Sequence, residues 1–169
     1  IISFQNKKIN FDSVFNTSKK KIILEIGFGM GDTTAKIASN FSDFNFIGIE
    51  VHSPGVGNLL NRINEQEIKN LRIIQHDAVE VLEHMIPKSS LDGVHIFFPD
   101  PWHKKKHNKR RLIQPDFIEK IGQKIKKNGY VHISTDWEDY ALWILDALKM
   151  TNNFSLKTSE FFVKPDHRP

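Results

Sequence analysis

KIILEIGFGMGD occupies residues 21–32. Its first half, Lys21–Ile26, is a short and nearly unbroken apolar run, the pattern of a strand buried on both faces. Gly27, Gly29 and Gly31 follow at alternate positions, where glycine lets a chain turn sharply and approach a ligand closely. Asp32 or Thr33 then predicts the cap of a helix, TTAKIASNF. A strand, a glycine turn and a helix in that order open an α/β fold.

The rest of the chain repeats the alternation. Strands are expected at Asn45–Glu50, Leu71–Gln75, Gly93–Phe98, Tyr130–Ser134 and Phe154–Phe162. Helical patterns fall at Gly57–Glu67 and Val79–Met85. A further helix begins at Pro115 and is expected to stop at Asn128-Gly129, and a last one carries Tyr140, Ile144, Leu145 and Leu148 as its apolar stripe. Strands alternating with helices predict a mostly parallel sheet with helices on both faces, in one domain across residues 1–169. In such sheets ligands bind beyond the carboxyl ends of the strands, so the residues just after each strand carry the functional information.

Those residues are acidic. Glu50 ends the second strand, where a carboxylate can accept hydrogen bonds from both ribose hydroxyls. Asp77-Ala78 follows the third, where an acid can take a bond from an adenine amino group and a backbone N–H can meet a ring nitrogen. Each acid could instead serve as a helix cap; together they describe a nucleoside site. A dinucleotide loop wants Gly-x-Gly-x-x-Gly and a pyrophosphate on the helix N-terminus. Here the pattern is Gly-x-Gly-x-Gly, Asp32 stands where phosphate would sit, and Glu25 precedes the first glycine. Anions there repel phosphate and suit a cationic nucleoside, which favours S-adenosyl-L-methionine over NAD.

Composition sets the bounds. The 169 residues include no cysteine, which excludes disulfides and thiolate sites and fits a reducing, cytoplasmic compartment. No apolar run predicts a membrane span and no signal-peptide pattern stands at the start. The formal net charge is +4, and six of the lysines and arginines lie between His103 and Arg111 with no acid among them. Without that segment the charge would be negative. Such a concentrated basic patch points to a polyanion.

LEIGFGMGD, GIEVHSPGVG, HDA, FPDPWHKKKHNKRR and STDWEDY resemble, in order and spacing, the bacterial tRNA (guanine-N7)-methyltransferases, from about Ile22 to Pro169. The resemblance implies a Rossmann-like class I methyltransferase acting on guanosine 46 of the tRNA variable loop. It implies that Glu25, Glu50, Asp77 and Asp100 contact the cofactor, that Asp100 is also catalytic, and that Lys104 and Asp136 bind substrate. The family continues past the equivalent of His167-Arg168-Pro169 into a Thr-Lys-Phe-Glu motif, so both ends of the chain are expected to be incomplete.

Within FFPDPWHKKKHNKRR, residues 97–111, Pro99 and Pro101 fix φ on either side of Asp100 and aim its carboxylate. Trp102 either stacks on a base or packs the loop onto the sheet. Lys104–Lys106 and Lys109–Arg111 are expected to hold phosphates. Asp136 either faces the guanine edge or caps the next helix. His103 and His107 have i, i+4 spacing, but the surrounding lysines would repel a cation, so no metal is expected. No obligate protein partner is evident. Two rivals remain: a Rossmann-type dehydrogenase, against which Glu25 and Asp32 count, and a non-catalytic RNA-binding module, against which the intact Asp100 and glycine loop count.

Overall fold

Five of the expected apolar runs are strands in the computed structural model, which describes residues 1–17 and 20–155. The strands are β1 (Lys21–Ile26), β2 (Phe44–Glu50), β3 (Leu71–Gln75), β4 (Leu91–Phe97) and β5 (Ile125–Ser134). All pair in parallel, in the order β3-β2-β1-β4-β5. Side chains alternate across the sheet, so Ile22, Leu24 and Ile26 face one core and Ile23 faces the other.

The helices are α1 (Phe11–Phe15), α2 (Asp32–Asn40), α3 (Ser53–Glu65), α4 (Ala78–His84), α5 (Pro115–Lys124) and α6 (Glu138–Lys149). Ala35, Ala38, Val56 and Leu59 of α2 and α3 bury one face of the sheet. Phe15, Leu82, Ile118, Ile121, Tyr140 and Ile144, from the other four helices, bury the opposite face. The strand order reverses between β1 and β4, and a crevice opens there beyond the strand ends.

Four boundaries depart from expectation. The cap of α2 is Gly31, in the left-handed region at φ 77°, not Asp32 or Thr33. An added Cβ at Gly31 would lie 2.7 Å from Leu59 Cβ, so α3 packs where a side chain would stand. Helix α3 begins a turn early because Pro54 is favoured in a first turn. Helix α1 has no counterpart among the expected elements, since five residues are too few to show a period.

The fourth is the largest. Helix α5 stops at Lys124 rather than at Asn128-Gly129, and β5 begins at once with the buried Ile125. The Lys124 ammonium is itself buried, donating to the carbonyl of Ile86 at 3.0 Å. The register then shifts: Leu91 pairs with Ile125, but Gly93 pairs with Tyr130. The intervening residues bulge out, with Asn128 left-handed at φ 68° and Lys126 donating to Asp92 at 2.7 Å. The turn-forming pair thus serves a bulge inside the strand. The expected strand Phe154–Phe162 lies, beyond its first two residues, outside the described residues.

Candidate active site

Glu25 stands near the end of β1, under the glycine loop. Only 4% of it is exposed. It helps line a cavity of about 280 Å³ with the loop residues Gly27 to Gly29, Thr33, Phe97 and Phe98. Burial pushes its carboxyl up to about 7. The Thr34 hydroxyl opposes that rise, yet its oxygen is buried without a well-formed hydrogen bond. Among the described residues no ion pair neutralises this buried carboxylate, so a cationic ligand could do so. Space above Gly27 and Gly29 is open, with nothing within 4 Å of an added Cβ. Asp32 contributes less to this polarity than its position suggested, because it is ion-paired with Arg62.

The loop is held from below by Glu50. One of its oxygens accepts the N–H of Gly29 at 2.8 Å, and the other accepts those of Val51 at 2.7 Å and His52 at 3.0 Å. Glu50 therefore ties the β1–α2 loop to the end of β2. Helix α3 packs against the same loop: a Cβ on Gly55 would come within 1.9 Å of the Gly29 carbonyl. Asp77 caps α4, its Oδ1 accepting from Val79 N at 2.9 Å and Glu80 N at 3.2 Å. Ala78 opens the helix, so its N–H belongs to the first turn, which has no intrahelical acceptor.

Across the crevice, β4 ends in a strained turn. Phe98, at φ 50°, and Trp102, at φ 45°, are both left-handed, an uncommon state for bulky side chains. The Phe98 N–H still pairs with Ser134 O at 2.8 Å, so the chain leaves the sheet abruptly and lifts Asp100 clear of it. Asp100 is exposed. It lines a second cavity of about 400 Å³ with Pro101, Trp102, His103, Lys104 and His107. Trp102 packs within this loop, with the Arg110 guanidinium 5.0 Å over its ring and His107 at its edge. These contacts lie within the loop itself, so they differ from the packing onto the sheet that was expected for it.

The basic segment is a 3₁₀ helix, Lys105–Arg110, with Lys104 at its cap. Lys104–Lys106, Lys109 and Arg110 are exposed, as phosphate ligands must be. Arg111 is not: only 2% of it is exposed. It donates from Nε to the Pro101 carbonyl at 2.8 Å and from Nη2 to Asp139 of α6. The phosphate role expected of Arg111 is corrected here, because a cation sealed in the fold cannot meet RNA.

Asp136 is exposed between β5 and α6, and the cap of α6 is its neighbour Trp137, so the capping role weighed for Asp136 is not the one it has. The His103 ring meets Trp137 edge-on at 4.1 Å. That contact joins the loops carrying Lys104 and Asp136. His103 and His107 thus engage different tryptophans. Sequence reasoning passed over Trp137 and gave Arg111 a different role. An aromatic beside a candidate acid was the available signal for Trp137, whereas Arg111 was hidden among like neighbours.

Comparison with known proteins adds an independent line. Residues 19–168 match a family described as "Putative methyltransferase". The chain is 55% identical to the tRNA (guanine-N(7)-)-methyltransferase of Methylobacillus flagellatus over 161 residues, covering 95% of this chain and 68% of that protein. It is 52% identical to the enzyme of the same name from Chromobacterium violaceum, covering 99% of this chain and 74% of that one. Among solved structures, a precorrin-6y C5,15-methyltransferase from Geobacter metallireducens has a TM-score of 0.61 at 14% identity, over 81% of this chain and 66% of that one. A 30S ribosomal A1408 methyltransferase from an uncultured bacterium has a TM-score of 0.57 at 21% identity, over 79% and 66%. These two likenesses concern the fold.

Proposed function

Since the chain belongs to the tRNA (guanine-N7)-methyltransferase family, we propose that its crevice and basic segment methylate N7 of guanosine 46 in the tRNA variable loop. The chain is an S-adenosylmethionine-dependent methyltransferase of tRNA guanine, and neither the dehydrogenase nor the non-catalytic reading has support. We read residues 1–169 as a single methyltransferase domain acting in the cytoplasm. Among the described residues no helix is long and apolar enough to cross a membrane.

One observation carries the residue assignment: a buried carboxylate and an exposed, cation-flanked carboxylate each line a cavity, and the stretch from Phe97 to Lys104 contributes to both. Glu25 and the glycine loop fit the charged amino-acid end of the cofactor. Glu50 keeps acceptor capacity on Oε2 for a ribose hydroxyl while holding Gly29. Asp77 has Oδ2 for an adenine amino group while Oδ1 caps α4, and the Ala78 N–H can meet the ring.

When held by Glu25, Glu50 and Asp77, S-adenosylmethionine would supply an activated methyl group to guanine N7, whose free lone pair needs no deprotonation. The protein's task is therefore alignment and charge. Asp100, held by two prolines between two left-handed residues, either accepts bonds from the guanine N1–H and N2–H₂ or stabilises the positive charge that reaches the purine. Lys104 and Asp136 orient the nucleotide, and the exposed 3₁₀ cations hold the RNA backbone. Incubation with labelled S-adenosylmethionine and bulk tRNA, followed by nucleoside analysis, tests the reading. Labelled N7-methylguanosine is expected; label in another nucleoside, or none, would overturn it.

A further inference from the structure

Arg111 is the one cation of the basic segment that RNA cannot reach. Its two bonded nitrogens point to different parts of the chain, Nε to the Pro101 carbonyl, one residue past Asp100, and Nη2 to Asp139 in the first turn of α6. Tyr140 and Trp143 flank the guanidinium at 4.9 Å and 5.1 Å from their ring centres. The same two rings grip the next residues. The Ile113 N–H donates to the Tyr140 hydroxyl at 3.2 Å, and the Trp143 indole donates to the Ile113 carbonyl at 2.7 Å. Buried, stacked and paired through Nε and Nη2, with Nη1 buried without a partner among the described residues, the guanidinium is held from two sides, and its rigid fork fixes the angle between its two acceptors.

We propose that Arg111 is a positioning residue for methyl transfer, setting where Asp100 stands relative to Asp136 by tying the Pro101 carbonyl to the start of α6. The proposal rests on the preceding reading of those two acids as site residues. The turn that carries Asp100 leaves the sheet through strained backbone at Phe98 and Trp102, so it needs an anchor outside the sheet. Arg111 supplies that anchor from the far end of the basic segment. Phosphates engaged on Lys105, Lys106, Lys109 and Arg110 are thereby connected mechanically to the acid beside the guanine.

Arg111→Lys separates positioning from phosphate binding, because it keeps the charge but loses the fork. At saturating cofactor and tRNA, the single-turnover rate should fall about 10²-fold, the cost of a misplacement near 1 Å. The tRNA affinity and its salt slope should stay close to wild type. A wild-type rate, or weaker tRNA binding with a smaller slope and a retained rate, would overturn the proposal. Asp139→Asn perturbs the same strut from its exposed end and should also lower the rate. Combined with Arg111→Lys, its loss should be less than additive, and additive losses count against the proposal. Should Arg111→Lys fail to fold, a wild-type rate in Asp139→Asn alone would suffice to reject it. A wild-type enzyme that makes no N7-methylguanosine would instead reject the functional reading on which this one stands.

Discussion

Glu25, near the end of β1, and Asp100, beyond the end of the adjacent β4, are both carboxylates, yet the fold treats them in opposite ways. Glu25 is enclosed by a short glycine turn and kept out of water until a cation arrives. Asp100 stands in the open at the start of a long loop, and its direction depends on prolines, strained neighbours and a buried arginine. The buried acid gains binding strength from low dielectric at a cost in stability. The exposed acid gains accuracy from scaffolding, at the cost of strained backbone at Phe98 and Trp102. In the proposed reading, the binding carboxylate and the catalytic carboxylate are thus prepared by different physics.

The contrast breaks most visibly at Asp100. Asp100→Asn is nearly isosteric, so the turn should survive while one acceptor becomes a donor and the charge disappears. We expect a loss of about 10²–10³ in single-turnover rate at saturating cofactor. The tRNA affinity should hardly change, since the flanking cations supply most of it. A mutant that methylates at the wild-type rate would make Asp100 a loop residue only.

At Glu25 the expected signature lies in stability. The folded protein holds a proton there up to about pH 7, whereas the unfolded chain loses it near 4.5. Stability should therefore fall as pH rises through that window, by about 3 kcal/mol in total. Glu25→Gln should remove this loss, melting higher than wild type above pH 7 and like wild type below 4.5. The same variant should bind S-adenosylmethionine more weakly, and in the wild type binding should tighten as pH rises through 7. A variant with unchanged melting at pH 8 would contradict the account of burial.

Glu50 lies between the two extremes, because its carboxylate serves the loop and the ligand together. Glu50→Ala should weaken S-adenosylmethionine by about 1–3 kcal/mol in calorimetry. Because Gly29, Val51 and His52 lose their acceptor, it should also melt lower with no ligand present. An affinity loss with unchanged melting would assign Glu50 to the ligand alone.

The smallest effect belongs to the exposed cations. Replacing Lys105 and Lys106 with Ala should weaken all tRNAs similarly and shrink the log–log salt slope by about 1.4–1.8. An unchanged slope would mean that these lysines are merely solvated.

The sequence by itself determined the alternation of strand and helix, the glycine loop, the acids at the strand ends and the family. These are legible because they are local: a period of two or 3.6, a glycine that only a turn requires, or a motif of contiguous residues. Glu25, Glu50, Asp77 and Asp100 were all picked out as candidates from such local signals and the resemblance they carry. The cap weighed for Asp77 is seen at α4, whereas the bonds by which Glu50 holds Gly29, Val51 and His52 appeared only once the turns around it had closed. The early start of β5 depended on Ile125 finding a buried place opposite Leu91, a contact that the turn signal at Asn128-Gly129 masked. Arg111 is the plainest case. Among six cations it carried no distinguishing mark, and its fate was decided by Asp139, Tyr140 and Trp143, roughly thirty residues on. Burial is a property of packing between distant segments, and only the tertiary structure could separate the arginine that holds the loop from the cations left to hold RNA.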